Sequence, residues 1–240
     1  MAPAETELIL YSSWFCPFAQ RTWITCEEKQ LPYKLVEVNP YSKPANLVKA
    51  NPRSLVPAID YRGEGLGESL IINEYLDDAF PESRRLLPED PLQKAKCKVF
   101  VDGVITKQLT PLFYKIMKAR GNERKDSIEQ CKEVIKEIVT QLEQSDGSYL
   151  FGNEFGFADI ALAPFIPIRN DILESYTEYD PVKESGSKKF EEWCELVMKK
   201  DSVRTTLADK DKLFETYKRY ADGTATSKVA EAVKSGLPLP

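Results

Sequence analysis

From Leu8 to Asp77, short apolar runs alternate with segments of helical spacing. Leu8-Ile9-Leu10-Tyr11 is a run of strand length, and after a short loop Phe18 to Ile24 has helical composition. That first helix should end near Gln30. Pro32 restarts the chain, and Tyr33-Lys34-Leu35-Val36-Glu37-Val38 alternates as a strand does. Asn39-Pro40 and Lys43-Pro44 mark a turn and a helix start, and Ala45 to Ala50 is a short helical piece before Asn51-Pro52. Leu55 to Tyr61 reads as a strand with Pro57 at its entry. Arg62-Gly63-Glu64-Gly65 reads as a hairpin turn, with Leu66-Gly67 as the antiparallel partner. Ser69 can N-cap the helix that follows, whose inner face is Leu70, Ile71, Tyr75 and Leu76.

This β-α-β-α-β-β-α order matches a thioredoxin-like α/β domain, expected over residues 1–87. In such a domain a proline entering a strand opposite a reactive cysteine is often cis, and Pro57 is the candidate. Phe80-Pro81-Glu82 through Pro88-Glu89-Asp90-Pro91 is proline-rich, charged and aperiodic, which marks an interdomain linker. Beyond it an all-helical domain is expected over 91–240. Leu92 to Lys118 reads as one long or kinked helix. Ile128, Cys131, Ile135, Ile138 and Leu142 recur at steps of three and four, an amphipathic helix from about Arg124 to Ser145. Phe190, Trp193, Cys194, Val197 and Met198 form another. Gly156 to Asp171 is apolar, so buried, and Pro164 and Pro167 should bend it or end it early. Thr224 to Pro240 lacks firm periodicity and reads as a loosely held tail.

The chemistry concentrates at Cys16-Pro17, where the first loop meets the first helix. Proline is tolerated in a first turn because its missing N–H would be unpaired there anyway. Cys16 then lies at or beside the N-cap, facing free N–H groups and the positive end of the helix dipole. Thiols so placed can fall from ~8.5 to ~3.5–7.5 in pKa. Dithiol oxidoreductases carry a second cysteine three residues on; here that residue is Ala19, so the motif is monothiol and an external thiol must complete any exchange. The alternative is that Cys16 is a small buried hydrophobe, as free cysteines commonly are.

Composition narrows the chemistry further. The 240 residues carry a net charge of −5 with no basic block, which argues against nucleic acid or an anionic membrane as partner. The start, MAPAETE, has neither the basic nor the apolar region of a secretory signal. No apolar run approaches the ~20 residues of a spanning helix. Five scattered cysteines (Cys16, Cys26, Cys97, Cys131, Cys194) do not make a disulfide framework, and a reducing cytoplasm is the simplest home. The chain has no histidine, which removes Cys-His and Ser-His-Asp pairs and weakens every metal-site reading, so no metal is expected.

These strings together resemble the cytosolic glutathione transferases, and Cys16-Pro17-Phe18-Ala19-Gln20-Arg21 points to the omega class. Leu55-Val56-Pro57-Ala58, Gly67-Glu68-Ser69-Leu70-Ile71-Ile72, Glu74-Tyr75-Leu76-Asp77 with Phe80-Pro81, and Phe157-Ala158-Asp159-Ile160-Ala161 resemble family motifs in family order. The resemblance spans Leu8 to Arg219. It implies a glutathione-dependent thiol transferase in which Cys16 forms a mixed disulfide with glutathione, the co-substrate. It also implies that Phe18 flanks the peptide and that Val56 offers backbone N–H and C=O to the cysteinyl part. Glu68 and Ser69 would hold the γ-glutamyl end, and Lys43 would pair with the glycyl carboxylate. Deglutathionylation and dehydroascorbate reduction follow as activities, with little conjugation, and a homodimer as the assembly. Gly156 departs from the family's Ser or Thr, so the side-chain half of that helix's capping box is missing.

Tyr11 is a rival activator, since other transferase classes use a tyrosine near the end of the first strand, but within an apolar run it reads as core. Cys26, Cys97, Cys131 and Cys194 read as packing residues. Tyr114 and Trp193 are candidates to line a second-substrate pocket for hydrophobic small molecules, although aromatics on amphipathic helices are more often core. Two rivals remain open: a non-catalytic binding protein (a ligandin) for aromatic small molecules, and the intracellular chloride-channel family, which shares a Cys-Pro-Phe helix start. Against the latter, Cys16 to Gln30 is too short and too charged to span a bilayer.

Overall fold

The computed structural model describes residues 7–39 and 42–240. The chain forms two compact units, one of residues up to Leu87 with Lys200–Ala208, the other of Pro88–Lys199 with Asp209–Pro240. The expected division at 87/91 does not anticipate the return of residues 200–208 to the first unit.

In chain order the first elements are β1 (Leu8–Ser12), α1 (Pro17–Glu28), β2 (Tyr33–Glu37), α2 (Ala45–Ala50), β3 (Ala58–Tyr61), β4 (Glu64–Gly67) and α3 (Ser69–Ala79). The sheet order is β2-β1-β3-β4; β1 runs parallel to β2 and antiparallel to β3, and β4 is antiparallel to β3. Alternate residues of β1 face opposite sides of the sheet. Leu8 and Leu10 therefore pack with Cys26, Leu31, Ile59, Ile72 and Leu76, while Tyr11 packs with Val38, Leu47, Ala50 and Ala58. Tyr11 is a core residue, 3% exposed. The hairpin needs only Arg62 and Gly63, at φ 58° and 86°, the two-residue turn whose twist suits antiparallel strands. Pro40 of the expected Asn39-Pro40 turn lies outside the described residues.

Two expectations about α3 are corrected. Its N-cap is Glu68, not Ser69, which is the first helical residue. Its inner face is Ile72, Asn73, Leu76 and Asp77, while Ile71 and Tyr75 are exposed. Periodicity favoured Ile71 and Tyr75 because they are apolar; packing instead buries the polar pair, each with partners. Asn73 Nδ2 donates to the Arg21 carbonyl at 3.4 Å. Asp77 accepts from Lys29 Nζ at 3.0 Å and from the Leu86 and Leu87 N–H groups at 2.8 and 3.1 Å.

Beyond the linker come α4 (Pro91–Phe100), a π-helical stretch Val101–Leu109, α5 (Thr110–Lys118), α6 (Gly121–Gln144), α7 (Phe157–Leu162) and α8 (Asn170–Thr177). The chain finishes with α9 (Pro181–Ser185), α10 (Lys188–Lys199), α11 (Asp201–Arg204), α12 (Lys210–Ala221) and α13 (Lys228–Ser235). Helix α7 ends at Leu162, two residues before Pro164, as proline chemistry requires. The loose tail is corrected by α13: Ser227 caps it through the Ala230 N–H, Ala230 is buried, and Lys118 Nζ reaches the Val233 carbonyl at 3.3 Å. One buried alanine is too small a repeat to show as periodicity.

In the first unit, α11 and its flanks lie along α1. Gln20 Nε2 donates to the Thr206 carbonyl at 3.1 Å, and Lys200 Nζ pairs with Glu28 at 2.9 Å. Arg84 and the Ser202 hydroxyl share that same glutamate.

Candidate active site

Cys16 is the N-cap of α1, with extended backbone (φ −81°, ψ 117°) and Pro17 in the first turn. Its N–H donates to the Ser13 carbonyl at 2.9 Å, closing the loop after β1. Its sulfur accepts the Ala19 N–H at 3.5 Å and lies 3.9 Å from the Val56 carbonyl, toward which the S–H can point. Loss of the proton removes the Val56 contact and leaves the helix N–H to stabilise the thiolate. The thiol is half-buried, whereas the other four are buried. Burial pushes the Cys97 thiol up to about 12 and Cys131 up to about 11, and raises Cys26 and Cys194 further. Among the five thiols, Cys16 alone combines access with a helix N–H.

The loop carrying Cys16 is held from the sheet edge. The Trp14 N–H donates to Glu37 Oε1 at 3.1 Å, continuing past the strand end the β1–β2 ladder in which Ser12 faces Glu37. Burial raises the Glu37 carboxyl above its usual range, and the Trp14 N–H works against that rise. Nothing in the alternation of β2 singled out Glu37.

Several of the residues singled out earlier lie in the first unit. Val56 precedes a cis peptide bond to Pro57, as expected. Phe18 is half-buried, with the Arg21 guanidinium 5.5 Å from its ring centre. Glu68 is exposed and sits at φ 71°, conformationally costly for a residue with a side chain, and its carbonyl starts α3 by accepting the Ile72 N–H at 2.8 Å. Ser69 is buried, and its carbonyl accepts the Thr22 hydroxyl at 3.4 Å, tying α3 to α1. Lys43 is exposed, immediately before α2. Arg53, which sequence reasoning passed over, forms an ion pair with Glu68. Its only signal was a position just after Asn51-Pro52, shared with many turn arginines.

The two pocket candidates in the helical unit are corrected. Trp193 is 1% exposed, stacks on Phe190 with ring centres 5.6 Å apart, and gives its Nε1–H to Asp159 at 2.7 Å. Tyr114 is 3% exposed and packs edge-on to Phe113 and tilted against Tyr220. Both side chains belong to the core of that unit, because an amphipathic face turns its aromatics inward. Among the described residues there is no cluster of three or more His, Cys, Asp or Glu able to hold a metal ion, and no helix is long and apolar enough to cross a membrane.

A half-buried N-cap cysteine on a four-stranded α/β unit, followed by a helical unit, defines a class. Residues 15–79 match the family model "Glutathione S-transferase, N-terminal domain", and residues 122–195 match "Glutathione S-transferase, C-terminal domain". The chain belongs to the glutathione S-transferase family, enzymes that use glutathione as co-substrate. It is 31% identical to glutathione S-transferase U25 of Arabidopsis thaliana, over 86% of this chain and 91% of that protein. The structure of glutathione transferase Omega 3C from Trametes versicolor is 35% identical and superposes with a TM-score of 0.82, covering 90% and 91% of the two chains. A rice glutathione transferase solved in complex with glutathione is 25% identical, with a TM-score of 0.82 and coverage of 93% and 100%.

Proposed function

We propose that the protein is an omega-type, glutathione-dependent thiol transferase working through Cys16 alone. The observation that carries this reading is the combination of an accessible N-cap thiol at Cys16, alanine at position 19 and burial of the other four cysteines. The Cys16 thiolate attacks the glutathionyl sulfur of a mixed disulfide. The sulfur–sulfur bond breaks, the partner leaves as a thiolate that takes a proton from solvent, and Cys16 is left joined to glutathione. A second glutathione, as thiolate, attacks the glutathionyl sulfur of that adduct. Oxidised glutathione departs and the Cys16 thiolate returns. Ala19 stands where a resolving thiol would lie, so an external glutathione completes the exchange.

In this reading Phe18 flanks the peptide, Val56 pairs with its cysteinyl backbone as a strand rung would, Lys43 meets the glycyl carboxylate, and Glu68 with Ser69 holds the γ-glutamyl end. Deglutathionylation is the expected activity, with dehydroascorbate reduction beside it and little conjugation. The protein acts in the cytoplasm as a homodimer; exposed Ile71 and Tyr75 on α3, and Leu92 and Val99 on α4, supply apolar surface for a second copy. Ile71→Glu should then elute as a monomer on size exclusion, and a variant that stays dimeric removes α3 from the interface.

The test is reduction of a glutathione mixed disulfide, coupled to an NADPH-dependent reductase, for wild type and Cys16→Ser. Turnover by wild type alone supports the reading. Equal turnover by both refutes it. If neither turns over while wild type still binds glutathione, the ligandin reading takes its place.

A further inference from the structure

Arg53 and Glu68 pair across two loops, with about half of each side chain open to solvent (57% and 51%). Their meeting is built into the backbone. Asn51 Oδ1 accepts the Arg53 N–H and Asn51 Nδ2 donates to the Leu55 carbonyl, each at 3.0 Å. The same amide lies against Gly67, where an added Cβ would fall 2.6 Å from Asn51 Nδ2. A neighbouring contact is equally close: a Cβ on Gly65 would fall 2.3 Å from the Ala50 carbonyl oxygen. The loop 51–55 is thus seated on β4, whose next residue is Glu68, and it leads directly into Val56.

An exposed ion pair contributes little to fold stability, so it can be opened or shared at small cost. Two opposite charges fixed side by side on a surface are the complement of a zwitterion. The γ-glutamyl end of glutathione is one, with an α-ammonium and an α-carboxylate on a single carbon. We propose that Arg53 is a specificity-determining residue for this end of the peptide: its guanidinium receives the α-carboxylate while Glu68 receives the α-ammonium. The proposal rests on the glutathione-binding reading above and extends it, since that reading gives the γ-glutamyl end only to Glu68 and Ser69. One protein ion pair is exchanged for two across the interface, and no charge is stranded. The planar guanidinium suits a carboxylate in two-pronged contact. A peptide beginning at cysteine, without the γ-glutamyl zwitterion, leaves the Arg53–Glu68 pair as it was and gains nothing from it.

Calorimetric titration of the full chain tests this with three ligands: glutathione, glutaryl-cysteinylglycine, which lacks the α-ammonium, and 4-aminobutyryl-cysteinylglycine, which lacks the α-carboxylate. Arg53→Gln should weaken glutathione and the glutaryl peptide about tenfold and leave the aminobutyryl peptide within about twofold. Arg53→Ala should give the same pattern, which guards against a defect peculiar to one variant. Unchanged or tighter glutathione binding by the variants overturns the proposal, because it makes Arg53 a bystander or a competitor for Glu68. Equal weakening of all three ligands also overturns it, since that marks a disturbed loop. Failure of wild type to bind glutathione at all defeats the underlying reading instead, so the two failures are distinct.

Discussion

Two helix starts set an acidic group against free backbone N–H groups, one in each unit. At α1 the Cys16 sulfur accepts the Ala19 N–H at 3.5 Å and stays half-open. At α7 the Asp159 carboxylate is 1% exposed and accepts three donors: the Leu150 and Gly156 N–H groups, both at 3.0 Å, and Trp193 Nε1 at 2.7 Å. Gly156 contributes no side chain to that cap, so only the Asp159 half of a capping box exists. Saturation and burial make the aspartate a fastening between α7, the loop before it and α10. Access at a helix start leaves the cysteine open to reaction, the role proposed for it above. The same electrostatics serves packing in one place and the proposed chemistry in the other, and what differs is the exposure.

Removing the two groups should break the molecule in opposite ways. Cys16→Ser should reduce thiol transfer to the uncatalysed rate, because an alcohol does not exchange with disulfides, and should move the unfolding midpoint by no more than about 2 °C. Asp159→Ala strands three donors in the core and should cost about 3–5 kcal/mol. Thermal unfolding should register that as a fall on the order of 10 °C. If the two substitutions gave similar melting shifts, the contrast between a fastening and a reactive cap would collapse.

Smaller effects sharpen the contrast. Iodoacetamide at neutral pH should place one label, on Cys16, read by peptide mass spectrometry, since burial raises the other thiols, with Cys97 at about 12 and Cys131 at about 11. A second label on the folded protein would contradict this. The smallest signal is a pH dependence. Burial pushes Asp159 up to about 6, against the pull of the Leu150, Gly156 and Trp193 donors. A group whose folded pKa lies above its unfolded value binds protons more tightly in the native state. Its contribution to stability is therefore full below about pH 4 and is lost as the pH rises through about 6. The margin of wild type over Asp159→Asn, followed by thermal unfolding from pH 4 to 7, should shrink with rising pH; a margin that grows would reverse the sign.

Much of this was legible along the chain. Residues 45–50 form α2 as their composition indicates, and Val56–Pro57 is cis where the strand entry suggested it. Cys16 caps α1 because Pro17 can occupy only a few helical positions. Local sterics and period set these features, and both are properties of neighbouring residues. The errors have a common form. Ile71 and Tyr75 look like the inner face of α3, yet Asn73 and Asp77 are buried there because Arg21, Lys29, Leu86 and Leu87 supply partners from elsewhere in the chain. Arg53 looks like an ordinary turn residue until Asn51 seats its loop on β4.

The sequence by itself determined the order of strands and helices up to α3, the thiol at the start of α1 and the absence of histidine, because these depend on side chains a few residues apart. Tertiary structure alone decided which thiols are sealed, which face of α3 turns inward, that residues 200–208 fasten to α1, and that Arg53 meets Glu68. Each of those depends on groups distant in the chain, where burial and hydrogen-bond partners, not local preference, carry the larger free energy.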